Sequence, residues 1–325
     1  MYWYSALMRR IWLASTIMAA ILPSTAVAQD RVLQQCAAAV TIRAYCNSIV
    51  HAMEIVQPRI GLAAAGGNPV PGASSTLGMK LGAVPRISIG GRFTTVTYEI
   101  PAIDTPGSTN DIDARSNAFQ FDASVGIYSG LSLLPTVGGF ASLDLVGTFG
   151  RVSMPDDHGF TDDVTNWGIG ARLGLLRESF TAPGVSVTGM YRGLGEMRYD
   201  DPGNPDDVSF ELSGTRVLSL RGVVGKRLLA VGAMAGVGYD RVTSDARFDI
   251  RTTVPPITSF TEDGFKSSRT NLFGSVQWTL LILSAVAEAG WQLGGDAFTA
   301  PLPAGHESGT DRKSFFASIA LRLSI

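Results

Sequence analysis

Three groups of residues carry the chemistry open to this chain. The first is acidic: Asp156-Asp157-His158 with Asp162-Asp163, then Asp200-Asp201 with Asp206-Asp207, and Asp104, Asp111 and Asp113. Carboxylates bunched in polar turns supply the oxygen ligands that Ca²⁺ or Mg²⁺ takes, so Asp156, Asp157, Asp162 and Asp163 are candidate metal ligands. Solvated turns are the plainer reading of the same residues. The second group is His306-Glu307-Ser308, but a base and nucleophile adjacent in sequence rarely meet in space. No G-x-S-x-G or H-E-x-x-H occurs, and Gly222-Val223-Val224-Gly225-Lys226 lacks the spacing of a phosphate-binding loop. No catalytic residue is therefore assigned, and His51 and His158 read as surface histidines. The third group is larger: Arg92, Asp122, Asp144, Arg172, Arg192, Glu211, Arg221, Glu288 and Arg322 each stand an even number of residues from other polar side chains of their segments, with apolar residues beside them.

That spacing requires strands. From Phe119 the odd positions Phe119, Phe121, Ala123, Val125 and Ile127 are apolar, while Gln120, Asp122, Ser124 and Gly126 alternate with them. After a break at Leu134-Pro135, the pattern resumes with Leu143, Leu145 and Phe149 against Ser142, Asp144 and Thr148. A period of two places one set on each face of a sheet. The pattern recurs at 58–65, 76–82, 86–100, 117–131, 139–153, 165–178, 185–199, 209–224, 228–242, 267–280, 284–294 and 312–325. Most of these segments reach the roughly 9–11 residues that a tilted membrane strand needs. Short connections alternate with longer polar ones, among them 101–116, 154–164 and 243–266. Aromatic residues gather near strand ends at Phe119, Phe149, Trp167, Tyr239 and Trp278. The expectation is an all-β, transmembrane antiparallel β-barrel of about 12 strands, with a short N-terminal helical segment and the charged residues above lining its lumen. Arg216 breaks the apolar face, which a bulge or a near-interface position could absorb.

The N-terminus fits an exported chain. Arg9-Arg10 precede the apolar run 11–22, and Ala26-Val27-Ala28 is a small-residue cleavage site, so 1–28 reads as a secretory signal peptide. Taking Arg9 and Arg10 from the 26 basic residues leaves 24 against 28 acidic ones, a formal charge of −4. Such a surface excludes the basic stripe of a nucleic-acid binder. Residues 29–57 lack alternation and read as helical, a plug for the lumen, with 58–325 as the barrel. Cys36 and Cys46 would lie about 15 Å apart on one continuous helix. An exported chain favours their oxidation, so the segment is expected to fold back as a hairpin closed by that disulfide.

Over 58–325 the chain resembles Gram-negative outer-membrane β-barrels. Its end, Phe315-Phe316 through Leu321-Arg322-Leu323-Ser324-Ile325, resembles the C-terminal strand that the barrel-assembly machinery reads, with Ile325 where that class usually ends in Phe. The helical piece followed by Gly66-Gly67-Asn68-Pro69 is distantly similar to the hatch of FadL-type hydrophobic-compound transporters. The resemblance implies a place in the outer membrane among lipid and lipopolysaccharide. It also implies passive passage or uptake of a small solute through a narrow or plugged lumen. A non-conducting barrel working through its acidic outer loops, and a membrane phospholipase-type hydrolase, are the alternatives.

Overall fold

The computed structural model describes residues 35–36, 42–78, 84–101, 111–132, 138–155, 159–160, 163–200, 208–251, 258–294 and 313–325. The expected signal peptide lies outside them. The strands are β1 (Ile87–Pro101), β2 (Asp111–Tyr128), β3 (Ser142–Ser153), β4 (Val164–Leu176), β5 (Gly184–Leu194), β6 (Met197–Asp200), β7 (Val208–Leu228), β8 (Val231–Ile250), β9 (Thr258–Leu280), β10 (Leu283–Gln292) and β11 (Ser314–Ser324). Each pairs antiparallel with its neighbour, and β1 pairs with β11 from Ser88↔Ser324 to Thr97↔Phe315. Because β5 pairs directly with β7, the ring closes with ten strands, and β6 is an extra strip on the outer part of β7.

Ten, not about twelve, is the count among the described residues. The two segments that fall away are the first two. Residues 58–65 are helical, continuing α1 (Arg43–Ala65) straight through Pro58. Of 76–82, the described residues 76–78 are irregular. Proline normally interrupts a helix by removing one N–H and crowding the preceding turn. Here Gln292 Nε2 donates to Pro58 O at 3.3 Å, and the surrounding wall holds the helix together.

The strands turn oil-compatible side chains outward. Phe121, Leu145, Phe149, Ile169, Val276 and Ile319 are all exposed, Phe149 by 63%. Their neighbours Gln120, Asp122, Asp144, Thr148 and Ser318 point inward and are buried. Trp167, Trp291 and Phe315 stand on the outer face toward the long-loop rim, and Tyr128, Phe140 and Trp278 toward the short-turn rim. A closed sheet with apolar flanks leaves no backbone group unpaired toward lipid, which is the condition for crossing a bilayer with strands. Among the described residues no helix is long and apolar enough to cross a membrane.

Toward the long-loop rim the polarity inverts. The span 243–266, expected as a loop, belongs largely to β8 and β9, whose ladder continues to Ile250↔Thr258. There the outward residues are Arg241, Thr243, Asp245 and Arg247, and the inward ones are Val242, Ala246, Phe248 and Ile250. Water, not lipid, faces this part. Its inward Phe160, Phe210, Phe248 and Phe260 join α1 residues Ile49, Met53 and Val56 in one apolar core.

That core also encloses the Cys36–Cys46 disulfide, with Cα atoms 5.7 Å apart. Closing a loop of ten residues stabilises by about 2–3 kcal/mol through the unfolded state. Cys36→Ser is therefore expected to lower the midpoint of detergent-solubilised heat unfolding, followed as heat-modifiable migration on a gel. An unchanged midpoint would mean that the N-terminal segment unfolds separately from the ring.

Candidate functional site

The lumen is occupied by the chain itself. α1 descends from the long-loop end, buried from Ser48 to Ala65, and Gly66 ends it at φ 60°, a conformation favoured by glycine. Residues 66–78 then run irregularly toward the short-turn rim, so their backbone groups need partners outside regular structure. The barrel wall supplies them.

Arg221 Nη2 donates to Gly66 O at 3.2 Å and its Nε to Gly67 O at 3.1 Å. Arg92 Nη1 donates to Asn68 O at 3.0 Å. Lower down, Arg322 donates to Pro71 O, and Arg172 Nη2 donates to Ala73 O at 2.7 Å. Two carboxylates accept the complementary amides. Glu288 Oε1 takes the N–H of Gly67 at 3.1 Å and of Asn68 at 3.2 Å. Asp144 takes Leu77 N–H at 2.8 Å and Gly78 N–H at 3.1 Å. Between the two ends, Asn68 folds the segment on itself, accepting Val70 N–H at 3.2 Å and donating to Ala73 O at 2.9 Å. The wall thus grips a peptide backbone, with arginines on carbonyls and acids on amides.

Behind this layer the wall charges hold one another. Asp240 receives both Nη atoms of Arg221, at 2.7 and 2.8 Å, and Asn271 Nδ2 at 2.6 Å. Arg92 Nη2 lies 2.8 Å from Gln120 Oε1 and 3.3 Å from Asp122 Oδ1. Arg192 Nη1 donates to Ser219 at 3.0 Å. A buried charge in such a pair is costly to leave alone, so the second layer fixes the first. Higher in the lumen, Arg59 Nε donates to Ser314 at 2.8 Å, and Gln57 Nε2 donates to Ser244 and to Phe265 O. Burial pushes the Glu54 carboxyl up to about 8 against the opposing pull of Arg269.

Eight of the nine charged residues singled out from the sequence face inward: Arg92, Asp122, Asp144, Arg172, Arg192, Arg221, Glu288 and Arg322. Glu211 does not. The β7–β8 ladder slips between Ser213 and Arg216, with Gly214 at φ 58°, and this bulge exchanges the faces. Above it Phe210 and Leu212 point in, while Glu211 is 31% exposed and 3.6 Å from Arg198 Nε. Arg216, the irregular residue of the apolar face, stands at the lower edge of the same bulge and points out. His51 is not a surface residue: it is 2% exposed in the lumen, its Nδ1 3.9 Å from Glu54 Oε2. Sequence reading missed Asn68 and Gln120 as plug anchors; Gln120 Nε2 donates to Ala64 O.

Of the candidate metal ligands, Asp163 is engaged by Arg151 at 2.6 Å and by Ser153 at 2.7 Å. Asp156, Asp157 and Asp162 lie outside the described residues, as do His158 and His306-Glu307-Ser308. No group of three His, Cys, Asp or Glu residues able to hold a metal occurs among the described residues. Lys226, in the glycine-rich near-match, ties the β4–β5 turn by donating to Phe180 O at 2.7 Å and Ala182 O at 3.1 Å.

A closed antiparallel ring with an apolar band outside and charge inside is the architecture of a transmembrane β-barrel, and here it is filled by a segment of its own chain. No family model and no curated protein matches the sequence. Among solved structures, the barrel is similar to the translocator domain of autotransporter NalP from Neisseria meningitidis, at 8% identity and a TM-score of 0.47 over 75% of this chain and 90% of that one. It is similar also to the outer membrane protease OmpT from Escherichia coli, at 9% identity and 0.40 over 78% and 100%. A third is the COG4313 outer membrane channel from Pseudomonas putida F1, at 10% identity and 0.35 over 78% and 99%.

Proposed function

We propose that the chain is a plugged outer-membrane channel, which admits a small solute when residues 66–78 leave the wall. The observation that carries this reading is the kind of bond that holds the plug. Between Gly66 and Gly78 the wall contacts cited above are hydrogen bonds from charged side chains to backbone, and water or a polar solute can replace each of them. Once bared, Arg92, Arg172, Arg192, Arg221 and Arg322 with Asp122, Asp144 and Glu288 form a polar lining of both signs, suited to a small hydrophilic solute. This mechanism uses no catalytic residue and no cofactor. The C-terminal strand would present itself to the barrel-assembly machinery during insertion, and lipopolysaccharide would surround the finished wall.

The apolar core around α1 and its disulfide favours a second reading, a non-conducting barrel whose plug is permanent. Liposome-swelling assays with small sugars and amino acids separate the two. The full chain and a variant lacking residues 29–78 are compared; uptake by the full chain, raised further by the deletion, supports the channel, uptake by the deleted form alone favours the permanent plug, and impermeability of both, with intact heat-modifiable barrels, removes the lumen as a path.

A further inference from the structure

On three adjacent strands the lipid-facing surface ends in a cation. Along β7 the outward residues pass from Leu220 and Leu218 to Arg216; along β8, from Val237 and Tyr239 to Arg241; along β9, from Leu272 through Thr270 and Ser268 to Lys266. The register sets these ends side by side. Arg216 pairs with Thr243, and Thr243 with Lys266, while Leu218 pairs with Arg241, and Arg241 with Ser268. With strands about 4.8 Å apart, the three side chains share a patch roughly 10 Å wide. The next outward residue above Thr243 on β8 is Asp245, whose Oδ1 accepts Gly264 N–H of β9 at 3.0 Å.

The bulge at Gly214 ends the β7 stripe just above this patch. Below it Arg216 continues the outward row of Leu218 and Leu220; above it the faces exchange, and the outward residues are Ser213 and Glu211, the latter 3.6 Å from Arg198. A cation at the top of an apolar stripe stands where hydrocarbon gives way to headgroups, and guanidinium groups match phosphate oxygens in two-pronged hydrogen bonds.

We propose that Arg216, Arg241 and Lys266 form a binding site for the phosphates of an outer-leaflet glycolipid, whose acyl chains lie along Leu218, Val237 and Leu272. The site is on the outside of the wall and independent of the plug. A protein partner would need no apolar stripe running down from the cations into the membrane, and a lipid does.

The test is lipid binding by native mass spectrometry of the full chain in detergent, titrated with bis-phosphorylated lipid A, with the same lipid lacking both phosphates, and with inorganic phosphate. Wild type is expected to retain lipid A through micelle removal, and to bind the dephosphorylated form at least tenfold more weakly. Arg216→Gln combined with Arg241→Gln should weaken lipid A binding tenfold or more, while Arg151→Gln on β3 leaves it unchanged. Heat-modifiable migration verifies that each variant is folded; if the double variant is not, each single variant is held to a threefold loss. Equal retention of lipid A by the charge-removed and wild-type proteins overturns the proposal. So does competition by inorganic phosphate at the lipid's own concentration, which would mark a site for the free ion.

Discussion

In planar bilayers, Arg221→Ala and Glu288→Ala are expected to turn a mostly silent protein into one with frequent openings. Arg221 supplies the hydrogen bonds to Gly66 O and Gly67 O, and Glu288 accepts the amides of Gly67 and Asn68. These four bonds pin the point where α1 ends and the irregular segment begins. Losing a charged hydrogen bond of this kind removes about 1.5–3 kcal/mol, equivalent to roughly a 10- to 150-fold rise in the undocked fraction. Arg221→Ala also strands Asp240 in the wall, so it should lower the unfolding temperature as well. Glu288→Gln keeps an acceptor and should open the lumen less than Glu288→Ala. The order Ala above Gln above wild type is the signature of a latch; three indistinguishable traces would mean that the plug is held by α1 alone.

Gly126→Val should free the lower end of the plug by a different route. A Cβ at Gly126 would overlap the carbonyl oxygen of Gly78, and the obstructing atom is backbone that cannot swing aside. Asp144 would then lose its bonds to Leu77 and Gly78. Overpacking of this kind costs about 1–3 kcal/mol. At Gly189, by contrast, an added Cβ meets nothing within 4 Å. The expected result is protease cleavage between 66 and 78 from the short-turn side in Gly126→Val, and none in Gly189→Ala or wild type. Cleavage in all three proteins, or in none, would remove the segment's assigned fit.

The ring was legible because lipid imposes a clean period of two: Phe119 to Ile127 and Trp167 to Leu175 each announce a strand and its faces at once. Legibility failed where a different solvent or a different packing took over. Between Arg241 and Ile250 the alternation persists with its sign reversed, polar out and apolar in, so a strand read as a polar loop. Ser213-Gly214 carried a signal, since a glycine inside a strand pattern often marks a bulge, and heeding it would have moved Glu211 off the luminal face. Pro58 misled in the other direction. Proline's local preference lost to enclosure by the wall, and Arg59, Ile60 and Gly61, spaced like a strand, continue a helix instead. The charges of the cradle could be named from their alternation. What they hold could not, because a backbone recognised by its peptide groups leaves little mark in its own side chains.

The segment that fills the ring lies ahead of β1 in the chain, and the ring is sealed where β1 meets β11. The closed seam leaves no lateral gap between strands, so residues 66–78 have no way out through the wall and can leave only along the barrel axis.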